Sequence, residues 1–93
     1  YGGFTEALRV AQLADDHGVL TTPHHAPELH CHLLAAFPRG GYAVESHGSP
    51  YRDPIWHGIY QDRAQIRDSY VYMNEKPGFG YEVDWDYVEK HRA

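Results

Sequence analysis

The chain has 93 residues, with 8 Lys+Arg against 13 Asp+Glu, 8 His and 1 Cys, and a formal net charge of −5. That is room for one small domain at most. It excludes an internal disulfide framework, a membrane-spanning helix of some 18 or more apolar residues, and the basic stripe of a nucleic-acid binder. Leu, Ile, Val and Phe total 18 residues, about 19%, close to the border of disorder. An aromatic content of 14% and the modest net charge predict order around a thin core.

The chain opens Tyr1-Gly2-Gly3-Phe4, with no initiator Met, no charged n-region and no apolar h-region. It reads as a piece cut from something longer. The same four residues open the opioid peptides, but here they run into an amphipathic helix, and a Gly-rich turn is the simpler reading. Thr5 is the expected N-cap, with Glu6 near the positive end of the dipole. Leu8, Val10, Ala11, Leu13 and Ala14 form the expected inner face. His17 sits in the last turn and Gly18 takes the position after the cap. Val19-Leu20-Thr21-Thr22-Pro23 reads as a buried strand.

A second helix is predicted from about Pro27 to Phe37, since Pro suits a first helical turn. Leu29, Leu33, Ala36 and Phe37 are its expected inner stripe, and Pro38-Arg39-Gly40-Gly41 breaks it. Tyr42 to Ser46 is a second strand. A loop with Gly48, Pro50 and Pro54 leads to a short helix, roughly Ile55 to Asp62. A strand-like Ser69 to Met73, a Pro77-Gly78-Phe79-Gly80 turn and a last helix from Asp84, its cap, to Lys90 complete the order. Alternating helices and strands with short connections mark a parallel α/β arrangement. Two parallel strands are not a viable sheet alone, because such sheets are covered on both faces.

The densest chemical cluster is His24-His25-Ala26-Pro27-Glu28-Leu29-His30-Cys31-His32. Glu28 and His32 share a helix face at i, i+4, a weak metal signal with neither HExxH nor paired Cys behind it. His30 and His32 read more simply as the solvated side of the helix. Cys31 reads as a small buried hydrophobe. His24 and Glu45 end the two predicted strands, and that edge is where parallel α/β folds bind ligands and do chemistry. A histidine there can act as general acid/base, because imidazole ordinarily titrates near neutrality. A carboxyl there can hydrogen-bond a developing oxyanion if burial keeps it protonated.

The ordered set Gly2-Gly3-Phe4-Thr5-Glu6, Ala14-x-x-His17-Gly18-Val19, Pro23-His24-His25-Ala26-Pro27-Glu28 and His32-Leu33-Leu34-Ala35-Ala36 resembles the enolase superfamily. Tyr42-x-Val44-Glu45, Arg52-Asp53-Pro54-Ile55-Trp56 and Lys76-Pro77-Gly78-Phe79-Gly80-Tyr81-Glu82 continue the likeness across nearly the whole chain. It is nearest the mandelate racemase and muconate lactonizing branch, with its sugar-acid dehydratases. The resemblance implies an α/β fold: the C-terminal part of a modified (β/α) barrel over residues 1–68, and a tail over 69–93 that packs towards a capping domain. It implies His24 as the acid/base on strand seven, paired with an Asp upstream of Tyr1. It implies Glu45 on strand eight, hydrogen-bonding the substrate carboxylate or its enediolate.

The same likeness implies Mg²⁺, with its ligands outside these residues and no metal ligand within them. It also implies a small carboxylate or acid-sugar substrate, a cytoplasmic homo-oligomeric parent that includes the rest of the polypeptide, and no nucleic-acid or membrane partner. The 93 residues alone are expected to be inactive and poorly stable. Two other classes stay open from the residues themselves: a stand-alone His-rich metal-binding module, and a small interaction domain without catalysis.

Overall fold

A computed structural model describes residues 2–37, 39–47 and 49–93. Tyr1 of the opening tetrapeptide, the helix-breaking Pro38 and the loop Gly48 lie outside the described residues. The chain divides into two compact units, one ending at Ser46 and the other running from His47 to Ala93. Among the described residues, no helix is long and apolar enough to cross a membrane.

The first unit holds α1 (Phe4–Asp16) and α2 (Pro27–Ala36). Helix α1 starts earlier than expected. Gly3, at φ +103°, is its N-cap, and the Gly3 carbonyl already accepts the Ala7 N–H at 3.1 Å. Thr5 is therefore inside the first turn, and its hydroxyl does not cap the helix. The other end follows expectation. Gly18 is left-handed at φ +66° and donates to the Asp15 carbonyl, while Val19 donates to Ala14 at 2.8 Å. These two bonds form a Schellman motif, which uses carbonyls the helix leaves over. His17 Nδ1 also donates to the Leu13 carbonyl, at 2.9 Å.

The core of this unit is Ala7 and Ala11 of α1 against Leu33 of α2, flanked by Phe4, Leu8 and Phe37. Small residues at the contact let the helices approach closely. Val10 and Leu13, expected inside, are 47% and 61% exposed. The α2 stripe is also rotated from the expected one. Pro27, Glu28, Cys31 and Leu33 are buried, Leu29 and Phe37 half-buried, and Ala36 exposed.

The two predicted strands run parallel, as alternation requires. Their ladder is one bridge long, Thr21↔Gly41, with Thr21 N–H donating to Gly40 (2.7 Å) and Tyr42 N–H to Thr21 (2.9 Å). Val19, Leu20 and Tyr42 stay exposed beside it. A parallel pair gains stability when buried on both faces, and around this one the ends of α1 and α2 approach closely, Asp15 at Gly40 and Leu34 at Gly41.

In the second unit, Asp53 caps α3 (Pro54–Gly58) through the Trp56 N–H at 3.2 Å. The helix stops four residues short of Asp62 because residues 59–61 pair antiparallel with 82–84. Gln61 donates to Glu82, Asp84 donates to Ile59, and Tyr60 faces Val83. A hairpin follows, β1 (Gln65–Arg67) with β2 (Tyr70–Tyr72). Its turn residues Asp68 and Ser69 are both left-handed, at φ 50° and 65°, the geometry of a type I′ turn. Position 68/69, taken as the junction of barrel and tail, is this turn. Ser69 therefore belongs to the turn, and the predicted strand shortens to three residues. Asp84 caps α4 (Trp85–Lys90) as expected, accepting the Tyr87 N–H at 2.9 Å. Tyr87 covers Gly58, where any Cβ would run into its ring, and its hydroxyl donates to the Pro54 carbonyl at 2.9 Å. Half-buried Trp56, Tyr60 and Tyr81 pack edge-on and tilted at about 6 Å between centroids.

Candidate functional site at the ends of the parallel segments

The parallel bridge sets the site. With Thr21 opposite Gly41, His24 three residues on and Glu45 four residues on emerge at the same end. Pro23, fully buried, anchors the chain just before His24. His24 Nε2 lies 3.6 Å from Glu45 Oε2, with the His24 side chain 83% and the Glu45 side chain 41% exposed. The separation is that of an ion pair when the imidazole is protonated, slightly long for a hydrogen bond.

Between His24 and α2 the chain turns sharply. His25 and Ala26 are both left-handed, at φ 63° and 51°, and neither is glycine. The left-handed region costs a residue with a side chain roughly 1–2 kcal/mol. The turn is held by three sets of bonds. His25 N–H donates to Glu45 Oε2 at 2.8 Å. His30 Nδ1 lies 2.6 Å from the His25 carbonyl. The buried Ala26 is the α2 cap, and its carbonyl accepts the Leu29 and His30 N–H groups at 3.0 Å. The backbone on which His24 rides is therefore fixed at both faces of the His25 residue.

The structure thus brings His24 and Glu45 together, adds His30 to the site and places Glu28 differently from the sequence reading. His30, read as solvated, is half-buried and bonded to the His25 carbonyl. Its spacing of five from His25 belongs to no motif, so no sequence signal marks it. Glu28, read as one half of a weak metal pair, is 1% exposed in the first turn of α2. There a carboxylate meets the positive end of the helix dipole. Among the described residues, Glu28 and His32 belong to no cluster of three donors close enough to share an ion. Cys31 is buried as expected. Burial pushes its thiol above the ordinary 9.0, the nearby Glu28 charge adds to this, and backbone hydrogen bonds oppose it. A thiol held protonated is a poor nucleophile.

Mg²⁺ takes six oxygen ligands in octahedral array. His24 and Glu45 offer one nitrogen and one carboxylate, and one oxygen of that carboxylate already accepts the His25 N–H. The pair does not fit a magnesium centre.

Residues 1–87 match the family model described as enolase C-terminal domain-like. The chain is 28% identical over 82 residues to L-talarate/galactarate dehydratase of Salmonella typhimurium, covering 86% of this chain and 18% of that enzyme. Among solved structures it resembles a mandelate racemase/muconate lactonizing enzyme from a marine actinobacterium in complex with magnesium. The TM-score is 0.82 and the identity 32%, covering 99% of this chain and 26% of that one. It also resembles L-talarate dehydratase from Polaromonas sp. JS666 complexed with Mg and L-glucarate, with TM-score 0.75, 32% identity, and 95% and 23% coverage. The chain spans about a fifth to a quarter of the length of these proteins.

Proposed function

We infer the function from one premise: the chain belongs to the enolase C-terminal domain-like family, and its fold is that of part of a (β/α)-barrel enzyme of the mandelate racemase and muconate lactonizing kind. The proposed whole protein abstracts the proton α to the carboxylate of an acid sugar. It then either returns a proton to the opposite face, a racemisation, or loses the β-hydroxyl, a dehydration. The observation that carries this reading is the 3.6 Å approach of His24 Nε2 and Glu45 Oε2 at one end of the parallel pair.

In this reading His24 is the acid/base. Its imidazole nitrogen takes the α-proton, or gives one back, or protonates the leaving hydroxyl so that it departs as water. Glu45 keeps Oε2 on the His25 N–H, and in this scheme the arriving substrate carboxylate, a like charge, brings a solvent proton onto Oε1, which donates to an oxygen of that carboxylate. That hydrogen bond strengthens as negative charge moves onto the carboxylate in the enediolate, which is where it lowers the barrier. Two of the similar structures contain magnesium; an ion of that kind would be held by residues beyond these 93. So would the Asp partner of His24 and a second acid/base.

The test is solvent deuterium incorporation at the α-carbon by the whole protein, over a panel of acid sugars with Mg²⁺. His24→Asn abolishes exchange from one face, and Glu45→Gln slows turnover with the fold intact. Full exchange in His24→Asn, with loss in His25→Asn, would overturn the assignment.

A further inference from the structure

We propose that His30 is a positioning residue for the His24–Glu45 pair: it donates from Nδ1 to the His25 carbonyl and so locks the left-handed turn that carries His24 and whose N–H orients Glu45. The inference rests on the reading of the site given above for its kinetic consequence, but its geometry stands independently.

A carbonyl oxygen only accepts hydrogen bonds, so the 2.6 Å approach of His30 Nδ1 to the His25 oxygen requires the proton on Nδ1. In the neutral ring this fixes the tautomer, with Nε2 bare. In the imidazolium Nδ1 is still protonated, so the bond survives either state. The His25 amide is held on its other side, where its N–H donates to Glu45 Oε2 at 2.8 Å. His30 therefore reaches Glu45 through one residue, and it reaches His24 through the peptide bond next to it.

The clamp matters because of the backbone between its jaws. His25 and Ala26 sit at φ 63° and 51° without being glycine, so the chain stays there only while surrounding bonds hold it. With the His30 bond gone, residue 25 relaxes towards ordinary extended or helical backbone. His24, one residue upstream, swings with it, and the Glu45 carboxylate loses the N–H that orients it. A misplacement on the order of 1 Å at an acid/base group can cost about a hundredfold in rate. His30 does not touch the reacting atoms in this scheme. It sets where the two groups that do so are aimed.

Two measurements test this in the whole protein. The first is independent of activity. Long-range ¹H–¹⁵N correlation of the histidine rings at a pH where His30 is neutral should find its proton on Nδ1. In His30→Phe, which keeps a flat ring without the donor, the His25 amide should exchange faster with solvent. A neutral His30 carrying its proton on Nε2, or unchanged His25 exchange in His30→Phe, would overturn the proposal. The second is kinetic. His30→Phe should lower kcat about a hundredfold with KM little moved, and His30→Asn, whose amide N–H approximates Nδ1–H, should recover most of the loss. Wild-type kcat in His30→Phe, or no recovery in His30→Asn, would overturn it. Should the wild-type protein show no α-proton exchange on any acid sugar, the functional reading fails, and the tautomer and amide-exchange results still decide the role of His30.

Discussion

Glu45→Ala removes the acceptor of the His25 N–H, a partly buried contact of 2.8 Å. Hydrogen bonds to charged groups contribute about 1.5–3 kcal/mol. The His24 partner adds little, because its side chain is 83% exposed and solvent screens the pair. Loss of about 2 kcal/mol in the closed state of the turn corresponds to roughly thirtyfold more frequent opening, at about 1.4 kcal/mol per tenfold. The strain of two left-handed residues, roughly 1–2 kcal/mol each, favours opening equally in wild type and variant and cancels in the comparison. Glu45→Gln keeps an oxygen acceptor but not the charge. Charge-assisted bonds are about twice as strong as neutral ones, so its loss is about 1 kcal/mol, or roughly fivefold. The assay is hydrogen–deuterium exchange of the His25 amide in the whole protein, read against amides in the middle of α2, which should not change. Equal His25 exchange in wild type and Glu45→Ala would refute the reasoning, as would faster exchange in Glu45→Gln than in Glu45→Ala.

Gly58→Ala drives a methyl into the Tyr87 ring and dislodges its bond to Pro54, costing about 1–3 kcal/mol of stability. Denaturant midpoints should show the loss, and in a Tyr87→Ala background the same substitution should cost little. Ser69→Gly relieves an exposed left-handed residue in the hairpin turn, and after the entropic penalty of glycine it should stabilise by about 0.5–1 kcal/mol; a lowered midpoint would contradict the turn assignment. Cys31 should resist iodoacetamide in the native state at neutral pH and react on unfolding. Its folded pKa is raised, so its contribution to stability is fully present below about pH 9 and falls as pH climbs past the unfolded value towards the folded one. A native thiol that alkylates readily at neutral pH would show that it is not buried.

What was legible in the sequence had a local cause. Gly18 ends α1, Pro27 starts α2 and Asp84 caps α4 through chemistry confined to a few neighbouring residues. The parallel sense of the Thr21 and Gly41 segments follows from alternation with helices. What was hidden depends on contacts distant in sequence. Nothing in Gln65-Ile66-Arg67 marks a strand until Tyr70–Tyr72 pairs with it, and Asp68-Ser69 lacks the glycine that usually signals such a turn. Helix α3 is short because residues 82–84 compete for its next backbone groups. Thr5 looked like the cap because a hydroxyl is a good one, yet Gly3 reaches a backbone angle that favours an earlier start. At the site, the positions of His24 and Glu45 were readable from strand ends. The left-handed His25–Ala26 turn and the role of His30 were not, because they exist only once the start of α2 folds back beside Glu45.

The most direct test of the central claim is deuterium incorporation at the α-carbon of an acid sugar, run in D₂O with Mg²⁺ on the whole protein and on His24→Asn and His25→Asn. The account predicts that His24→Asn loses incorporation from one face while His25→Asn retains it. Undiminished incorporation in His24→Asn, or its loss in His25→Asn alone, would contradict the account.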